Sequence, residues 1–347
     1  MPVTMDEGRV PPSCAGRNHR SHSVPMNGSG TFPESINIAL VNNMPDSALE
    51  DTELQFCELL ETAARDIPVH LQLFSLPDLV RGERGKQHLT RYYSGLDALC
   101  DGQFDGAIIT GTEPIQPDLR DEPYWRTLAG VLDWAAENTS STVLSCLAAH
   151  AGVLYSDGVT RNRLGDKKFG VFVHRRVGDH ELTNGIPDTV QMPHSRWNEV
   201  REDALVAHGY TILTKATNAG VDLFVKKRSN SLFVHFQGHP EYGPLTLLKE
   251  YRRDIRRFLK QERETYPTMP DGYFDEKAKR ALDAFREDAL RNPDADRMSD
   301  FPEAAVVGSL QNTWKASAAG IYLNWLKYLA AQKASPTVGS IVHVAHK

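Results

Sequence analysis

The sequence predicts an α/β protein built on a doubly wound, mostly parallel sheet. Short apolar runs that suit buried strands alternate with longer segments whose apolar residues recur at helical spacing. From residue 36 to residue 154 the order is strand, helix, strand, helix, strand, helix, strand, helix. That order is typical of a parallel sheet with helices on both faces.

The first half of the chain supplies four predicted strands and the helices between them. The strands are β-rich or alternate between apolar and polar residues, and polar turns separate them from the helices. Strands are predicted over 36–41, 69–74, 106–110 and 142–144, and helices over 49–64, 92–99, 124–137 and 147–154.

The second half predicts an excursion from the sheet and a helical C-terminal segment. Short β-rich runs at 169–175, 190–192, 211–215 and 223–226 fit antiparallel strands. The chain then returns to the main sheet through a near-continuous apolar run over 231–237. Helices are predicted over 246–259, 276–290 and 314–331, and we expect the last to pack on the body or on a second subunit.

Composition places the chain among ordinary globular proteins. Of its 347 residues, 40% are hydrophobic and 24% are charged, and the net charge is −6. Without a basic surplus, neither nucleic acid nor an anionic membrane surface is an expected partner. The chain has no apolar run of membrane-spanning length, no signal peptide and no Cys-x-x-Cys pair among its four cysteines, so we expect a cytoplasmic protein.

Cys146 lies at a predicted turn from strand to helix. A thiolate there would face the free N–H groups and the positive dipole end of the new helix, which lower a thiol pKa and favour a nucleophile. A cysteine in an apolar context is more often a small buried hydrophobe. Taken alone, the stretch leaves both interpretations open.

A second strand end favours the catalytic interpretation. The apolar run over 231–237 leads directly into Gly-His-Pro-Glu-Tyr-Gly, which leaves His239 and Glu241 on a loop. Parallel neighbouring strands would bring this loop to Cys146 at the carboxyl edge of the sheet, where open α/β sheets bind ligands. The three residues would form a triad of nucleophile, base and orienting carboxylate.

Several blocks together resemble the homoserine O-acyltransferases of the succinyltransferase type, whose fold is that of class I glutamine amidotransferases. The resemblance runs from about residue 36 to residue 329. The blocks, in family order, are Val41-Asn-Asn-Met-Pro45, Thr52-Glu53-x-Gln55-Phe56, Thr110-Gly111, Tyr124-Trp125, Phe169-Gly-Val-Phe172, Pro193-His-Ser-Arg196, Gly238-His-Pro-Glu-Tyr242 and Asn324-Trp-Leu326.

The resemblance implies ping-pong acyl transfer from acyl-CoA to the hydroxyl of homoserine, in methionine biosynthesis. Acetyl-CoA or succinyl-CoA would be the co-substrate, no cofactor would be bound, and the enzyme would be a homodimer. The match also implies that Arg253 binds the substrate carboxylate and Glu250 its ammonium group. Lys167 and Ser195 match further substrate contacts, with Arg196 beside them.

Three departures from the family pattern bear on the acyl donor and on the family role. The link after Pro45 is acidic and lacks the lysine usual in the family. Ile115 stands where the family distinguishes acetyl from succinyl donors, and Leu147 follows the nucleophile where an aromatic residue or glycine is commoner. The first two disfavour an anionic acyl group, so we expect acetyl or another uncharged group to be preferred.

The domain boundaries follow from composition and from the resemblance. Residues 1–32 are rich in Pro, Ser, Gly, Asn and His, and we expect a disordered extension there. An acyltransferase domain is expected over 33–333, followed by a flexible tail over 334–347. No metal site is indicated, because the histidines lack ligand spacing.

Two other functions and a second acceptor remain as alternatives. Serine or another hydroxy amino acid could replace homoserine. A glutamine amidotransferase-like hydrolase would use the same fold and triad, although no glycines flank Cys146. A non-catalytic binding protein on the same scaffold is the third possibility, motivated by the departures near the acyl group.

Overall fold

The computed structural model describes residues 3–15 and 35–335 of the chain. Its strands are short and mostly buried. They are β1 (Val3–Thr4), β2 (Ile36–Val41), β3 (Val69–Phe74), β4 (Gly106–Thr110), β5 (Ser141–Ser145), β6 (Asn162–Arg176), β7 (Thr189–Glu199), β8 (Thr211–Ile212), β9 (Thr214–Ala216), β10 (Gly220–Val221), β11 (Leu223–Arg228) and β12 (Ser231–Phe236).

The helices connect these strands and build the C-terminal part. They are α1 (Pro12–Ala15), α2 (Leu49–Ala64), α3 (Glu83–Tyr92), α4 (Leu96–Asp101), α5 (Trp125–Asn138), α6 (Leu147–Asp157), α7 (Glu202–Ala207), α8 (Thr246–Leu259), α9 (Glu276–Arg291), α10 (Glu303–Val307) and α11 (Lys315–Ala334). Within the described residues, no helix is both long and apolar enough to cross a membrane.

The main sheet has eight strands in the order β1-β3-β2-β4-β5-β12-β11-β8. The first six strands of that order, which end with β12, run parallel to one another. Strand β11 pairs antiparallel with β12 and with β8. The prediction of a doubly wound, mostly parallel sheet is confirmed. Its central strands are buried on both faces, which explains their near-continuous apolar sequences.

Part of the predicted excursion forms a second, antiparallel sheet in the order β10-β9-β6-β7. Its long hairpin, β6 with β7, pairs Phe169 with Ser195 and Gly170 with His194. After β7 the chain joins the main sheet at β8, adds β9 and β10 to the second sheet, and returns to the main sheet with β11 and β12. The expectation that the run over 223–226 belongs to the excursion is therefore wrong, because β11 pairs with β12. The excursion thus places residues of β6 and β7 beside the carboxyl edge of the main sheet.

Two layers of helices cover the main sheet. Helices α2 and α11 pack on one face, and α5 and α6 pack on the other. In α11 the apolar side contains Trp325, whose indole N–H donates to Ser141 Oγ at 2.9 Å. The predicted C-terminal helix therefore packs on the body of the same chain.

The predicted disordered extension over 1–32 is wrong for residues 3–15. Val3 pairs with Val69, so β1 adds a parallel strand to the edge of the main sheet. Val3 is buried, and Cys14 in α1 is buried against the core as well. Apolar side chains that fit a free sheet edge outweigh the polar composition around them. The rest of the extension, and the predicted tail from residue 336, lie outside the described residues.

Candidate active site

Cys146 occupies the sharp turn between β5 and α6. Its backbone has φ 52° and ψ −107°, a left-handed conformation that a non-glycine residue rarely adopts. Its N–H donates to Phe236 O at 2.7 Å, so the turn is tied to the end of the neighbouring strand β12. Cys146 is half-buried and immediately precedes α6, at the turn from strand to helix that the sequence predicted.

His239 follows the end of β12 and lies beside this thiol. Its Nδ1–H donates to Glu241 Oε1 at 2.9 Å, which leaves Nε2 for proton transfer. Burial alone would lower the pKa of His239, but the adjacent Cys146 and Glu241 outweigh burial and hold that pKa well above its ordinary value. A raised imidazole pKa beside a thiol favours a thiolate–imidazolium pair.

Glu241 and His239 are each held by a second group. Ser145 Oγ donates to Glu241 Oε1 at 3.2 Å from the strand that precedes the nucleophile. The Tyr242 ring stacks on the imidazole with 4.1 Å between ring centroids. Trp314 in turn donates its indole N–H to Tyr242 O at 2.7 Å. The imidazole is therefore fixed in orientation from two sides.

Beside Cys146, the end of β4 closely approaches the start of α6. A Cβ added to Gly111, just after β4, would lie 2.5 Å from Leu147 Cβ and 3.0 Å from Leu147 N. Only glycine fits there. As the first residue of α6, Leu147 has a backbone N–H with no partner inside the helix.

Glu250 is the centre of a polar cluster that Tyr242 connects to His239. Its carboxylate accepts hydrogen bonds from Ser195 Oγ on β7 and from Tyr242 OH, the latter at 2.7 Å. Lys167 Nζ lies 3.4 Å from Glu250 Oε2. Arg253, one turn along α8, lies at the edge of the cluster with its side chain 47% exposed and its Nε bonded to Asp254. The structure thus brings together four of the five residues predicted to contact substrate.

Arg196 is the exception. Its guanidinium is buried, and each of its three nitrogens donates a hydrogen bond, to His194 Nδ1, Asn198 O and Ala219 O. Successive residues of a strand point to opposite faces, so Ser195 and Arg196 cannot share a site. The expectation that Arg196 contacts substrate is therefore corrected.

Sequence reasoning assigned no role to Tyr242 or to Asp222. Tyr242 lies in the quoted Gly-His-Pro-Glu-Tyr block, so its position was visible although its two contacts were not. Asp222 lies just before β11 and belongs to none of the quoted sequence blocks. Its Oδ1 accepts the Gly238 N–H at 2.7 Å.

The scan against known families comes out clearly for this chain. A family model described as homoserine O-succinyltransferase matches residues 32–336. The chain belongs to the homoserine O-succinyltransferase family. The predicted family and its acyltransferase class are confirmed.

Two homoserine O-succinyltransferases, from Methylorubrum extorquens and Rhodopseudomonas palustris, are each 43% identical to this chain. The first aligns over 303 residues, with 86% of this chain and 90% of the relative covered. Among solved structures, a glutamine amidotransferase from Thermotoga maritima aligns with a TM-score of 0.46 and 11% identity, over 86% of this chain and 99% of that one.

Both arguments for an uncharged acyl donor weaken in this member of the homoserine O-succinyltransferase family. The acidic link is neutralised at Asp46, which accepts from Gly82 N–H at 2.8 Å and pairs with Arg81 at 3.2 Å. Ile115 is 72% exposed, and its N–H is bonded to Glu122, so its side chain fills no pocket. Neither residue argues against a succinyl group.

Proposed function

We propose that this chain transfers a succinyl group from succinyl-CoA to the hydroxyl of homoserine through a thioester on Cys146. The observation that carries the proposal is the contact between Cys146 and the His239–Glu241 pair at the carboxyl edge of the sheet. Membership of a succinyltransferase family supports the donor, and the Glu250 cluster beside the triad supports an amino-acid acceptor.

In the first half-reaction the Cys146 thiolate attacks the thioester carbonyl of succinyl-CoA. The oxygen of the tetrahedral intermediate accepts hydrogen bonds from the N–H groups of Leu147 and Gly111, which the strand ends bring together. The C–S bond to CoA breaks, and the departing sulfur takes the proton of the His239 imidazolium. The succinyl group remains on Cys146 as a thioester.

In the second half-reaction His239 acts as a general base. Its Nε2 removes the proton of the homoserine hydroxyl as that oxygen attacks the thioester, and the same N–H groups hold the new oxyanion. Collapse releases O-succinylhomoserine and regenerates the thiolate beside the imidazolium. Glu241 keeps the imidazole in the tautomer that both steps need.

The acceptor site places opposite charges where an amino acid carries them. Glu250 offers a carboxylate for the ammonium group, and the half-exposed Arg253 offers a guanidinium fork for the carboxylate. Lys167 and Ser195 hold Glu250 in place. A site set by these charges leaves serine as the natural competing acceptor, which differs by one methylene.

The test is intact-protein mass spectrometry after mixing with succinyl-CoA or acetyl-CoA. Wild-type protein should gain one succinyl group, Cys146→Ala should gain none, and homoserine should discharge the adduct faster than serine. Ser145→Ala is the matched control, since it retains the thiol and loses only one bond to Glu241. An acetyl adduct in place of succinyl would contradict the donor, and a succinyl adduct on Cys146→Ala would contradict the nucleophile.

We also propose that the enzyme acts in the cytoplasm as a homodimer. The use of acyl-CoA and the lack of a disulfide among the four cysteines, all within the described residues, support the compartment. The family resemblance and exposed apolar side chains on the β6–β7 hairpin, Val173 and Trp197, support the dimer. Light scattering coupled to size exclusion tests it, and a monomer at micromolar concentration would contradict it.

A further inference from the structure

A buried polar cluster lies beside the segment that carries His239. It consists of His174 on β6, His194 on β7 and Asp222 before β11, all nearly or fully inaccessible to solvent. One ligand-type atom from each lies within 4.8 Å of the others. Such a set of two imidazoles and a carboxylate needs to be tested first as a metal site.

The hydrogen bonds around His194 argue against a metal. Arg196 Nε–H donates to His194 Nδ1 at 3.2 Å. A neutral imidazole that accepts at Nδ1 carries its proton on Nε2, so Nε2 has no lone pair to offer a metal. The guanidinium would also repel a cation in this buried place.

One set of tautomers satisfies both histidines without a metal. His194 Nε2–H donates to His174 Nε2 at 3.2 Å, and His174 Nδ1–H donates to Phe172 O at 3.1 Å. Burial lowers the pKa of both imidazoles, and the charge of Arg196 lowers them further, so both are neutral. These hydrogen bonds form a continuous series from Arg196 to Phe172. The Asp222 carboxylate is then the one negative group of the cluster.

Asp222 holds the segment that carries His239. Its Oδ1 accepts the Gly238 N–H at 2.7 Å, and its backbone carbonyl accepts the Gln237 N–H at 3.0 Å. From β7 of the second sheet, Pro193 O accepts the His239 N–H at 2.9 Å. A Cβ on Gly238 would lie 2.8 Å from Asp222 Oδ1 and 2.9 Å from Pro193 O, so the contact requires glycine.

The second oxygen of Asp222 is buried and has no hydrogen-bond partner among the described residues. Burial raises the pKa of Asp222, whereas His174, the Gly238 N–H, Arg196 and His239 act in the opposite direction. An unpaired buried oxygen is costly, so its retention beside a base needs a reason. The Arg196 guanidinium and the His239 imidazolium are positive groups that interact electrostatically with this carboxylate.

We propose that Asp222 is a positioning residue for His239, clamping the Gly238 N–H and placing a second negative charge near the imidazolium. Glu241 orients the ring through Nδ1, and Asp222 stabilises the charged form of the ring. Arg196 balances Asp222 and limits that stabilisation. This inference rests on the proposed roles of Cys146 and His239.

The test follows the reaction of Cys146 with iodoacetate as a function of pH, which requires neither CoA nor homoserine. An anionic reagent reacts fastest while the imidazolium beside the thiolate is charged, so the fall in rate at high pH reports the loss of its proton. Asp222→Asn retains an oxygen for the Gly238 N–H and removes the charge. We expect this fall to move to lower pH by about one unit.

Arg196→Gln should move the same fall to higher pH, because it removes a positive charge near the imidazolium. Glu53→Gln, which alters a buried carboxylate on α2, is the control and should leave it unmoved. A folded Asp222→Asn protein with an unmoved fall would overturn the proposal. If that variant does not fold, the proposal would be overturned by an Arg196→Gln protein whose fall in rate stays at the same pH or moves to lower pH.

Elemental analysis of the purified wild-type protein separates this proposal from the metal alternative. We expect a metal-free protein. One equivalent of a transition metal per chain that disappears when the cluster histidines are substituted would overturn the proposal. Failure of the proposed function would look different, because succinyl-CoA would then leave no adduct on a thiol that iodoacetate still modifies.

Discussion

A single methyl group at Gly111 should greatly slow acylation while leaving the fold intact. The added Cβ would lie 2.5 Å from Leu147 Cβ. Carbon atoms pack at roughly 3.5–4.0 Å, so the end of β4 and the start of α6 must separate by about 1 Å. That separation displaces both proposed oxyanion donors. Loss of one such donor costs about 10²–10³ in rate, so we expect Gly111→Ala to acylate Cys146 at least about 100-fold more slowly.

The assay is single-turnover release of CoA from succinyl-CoA, with unfolding by urea measured in parallel. Gly243→Ala is a matched control on the histidine loop, because its Cβ would meet only Thr246 Oγ1, at an ordinary 3.7 Å. It should acylate at the wild-type rate. Wild-type acylation by Gly111→Ala, or slow acylation explained entirely by unfolding, would refute the assignment of the oxyanion site.

Three further predictions concern the acceptor, the pH dependence of stability and the N-terminal strand. Glu250→Gln should raise the KM for homoserine about tenfold, a loss of about 1.4 kcal/mol, and leave the acylation rate with succinyl-CoA unchanged; equal losses in both steps would contradict the role. Burial lowers the pKa of His235 to about 3, so between pH 6.5 and 3 only the unfolded chain binds this proton and stability falls with pH. The free energy of unfolding, measured in urea, should therefore fall less in His235→Phe than in wild type between pH 7 and pH 5, and the difference should be at most about 2 kcal/mol. An identical fall in both proteins would contradict the buried neutral imidazole. Val3→Asp should cost about 1.5–3 kcal/mol without changing acyl transfer, while the exposed control Thr4→Asp should cost little; equal losses would show that β1 does not pack as described.

The main sheet and the triad were predictable because their signals are local. Each central strand is buried on both faces and therefore reads as a continuous apolar run. Each run ends in turn residues at the carboxyl edge, and parallel pairing aligns those ends. Cys146 and His239 could thus be placed together without knowing any side-chain contact.

The positions that sequence reasoning missed depend on partners far along the chain. Asp46 is neutralised by Arg81, 35 residues away, and no local sequence pattern indicates that the two residues pair. The two residues of β1 are too few to show periodicity. Arg196 is a different case, because strand alternation alone would have separated it from Ser195.

The functional groups are divided between two sheets. The nucleophile and the base hang from adjacent strands of the main sheet, whereas Lys167 and Ser195 come from the separate β6–β7 hairpin. The contact between the two parts at His239 runs through a backbone carbonyl, Pro193 O, so the Lys167 and Ser195 side chains can vary without removing it. Substitutions in the hairpin can change which hydroxyl compound reaches the thioester without disturbing the strand register that assembles Cys146 and His239. A scaffold divided in this way offers a route by which new acceptors evolve on an unchanged acylation step.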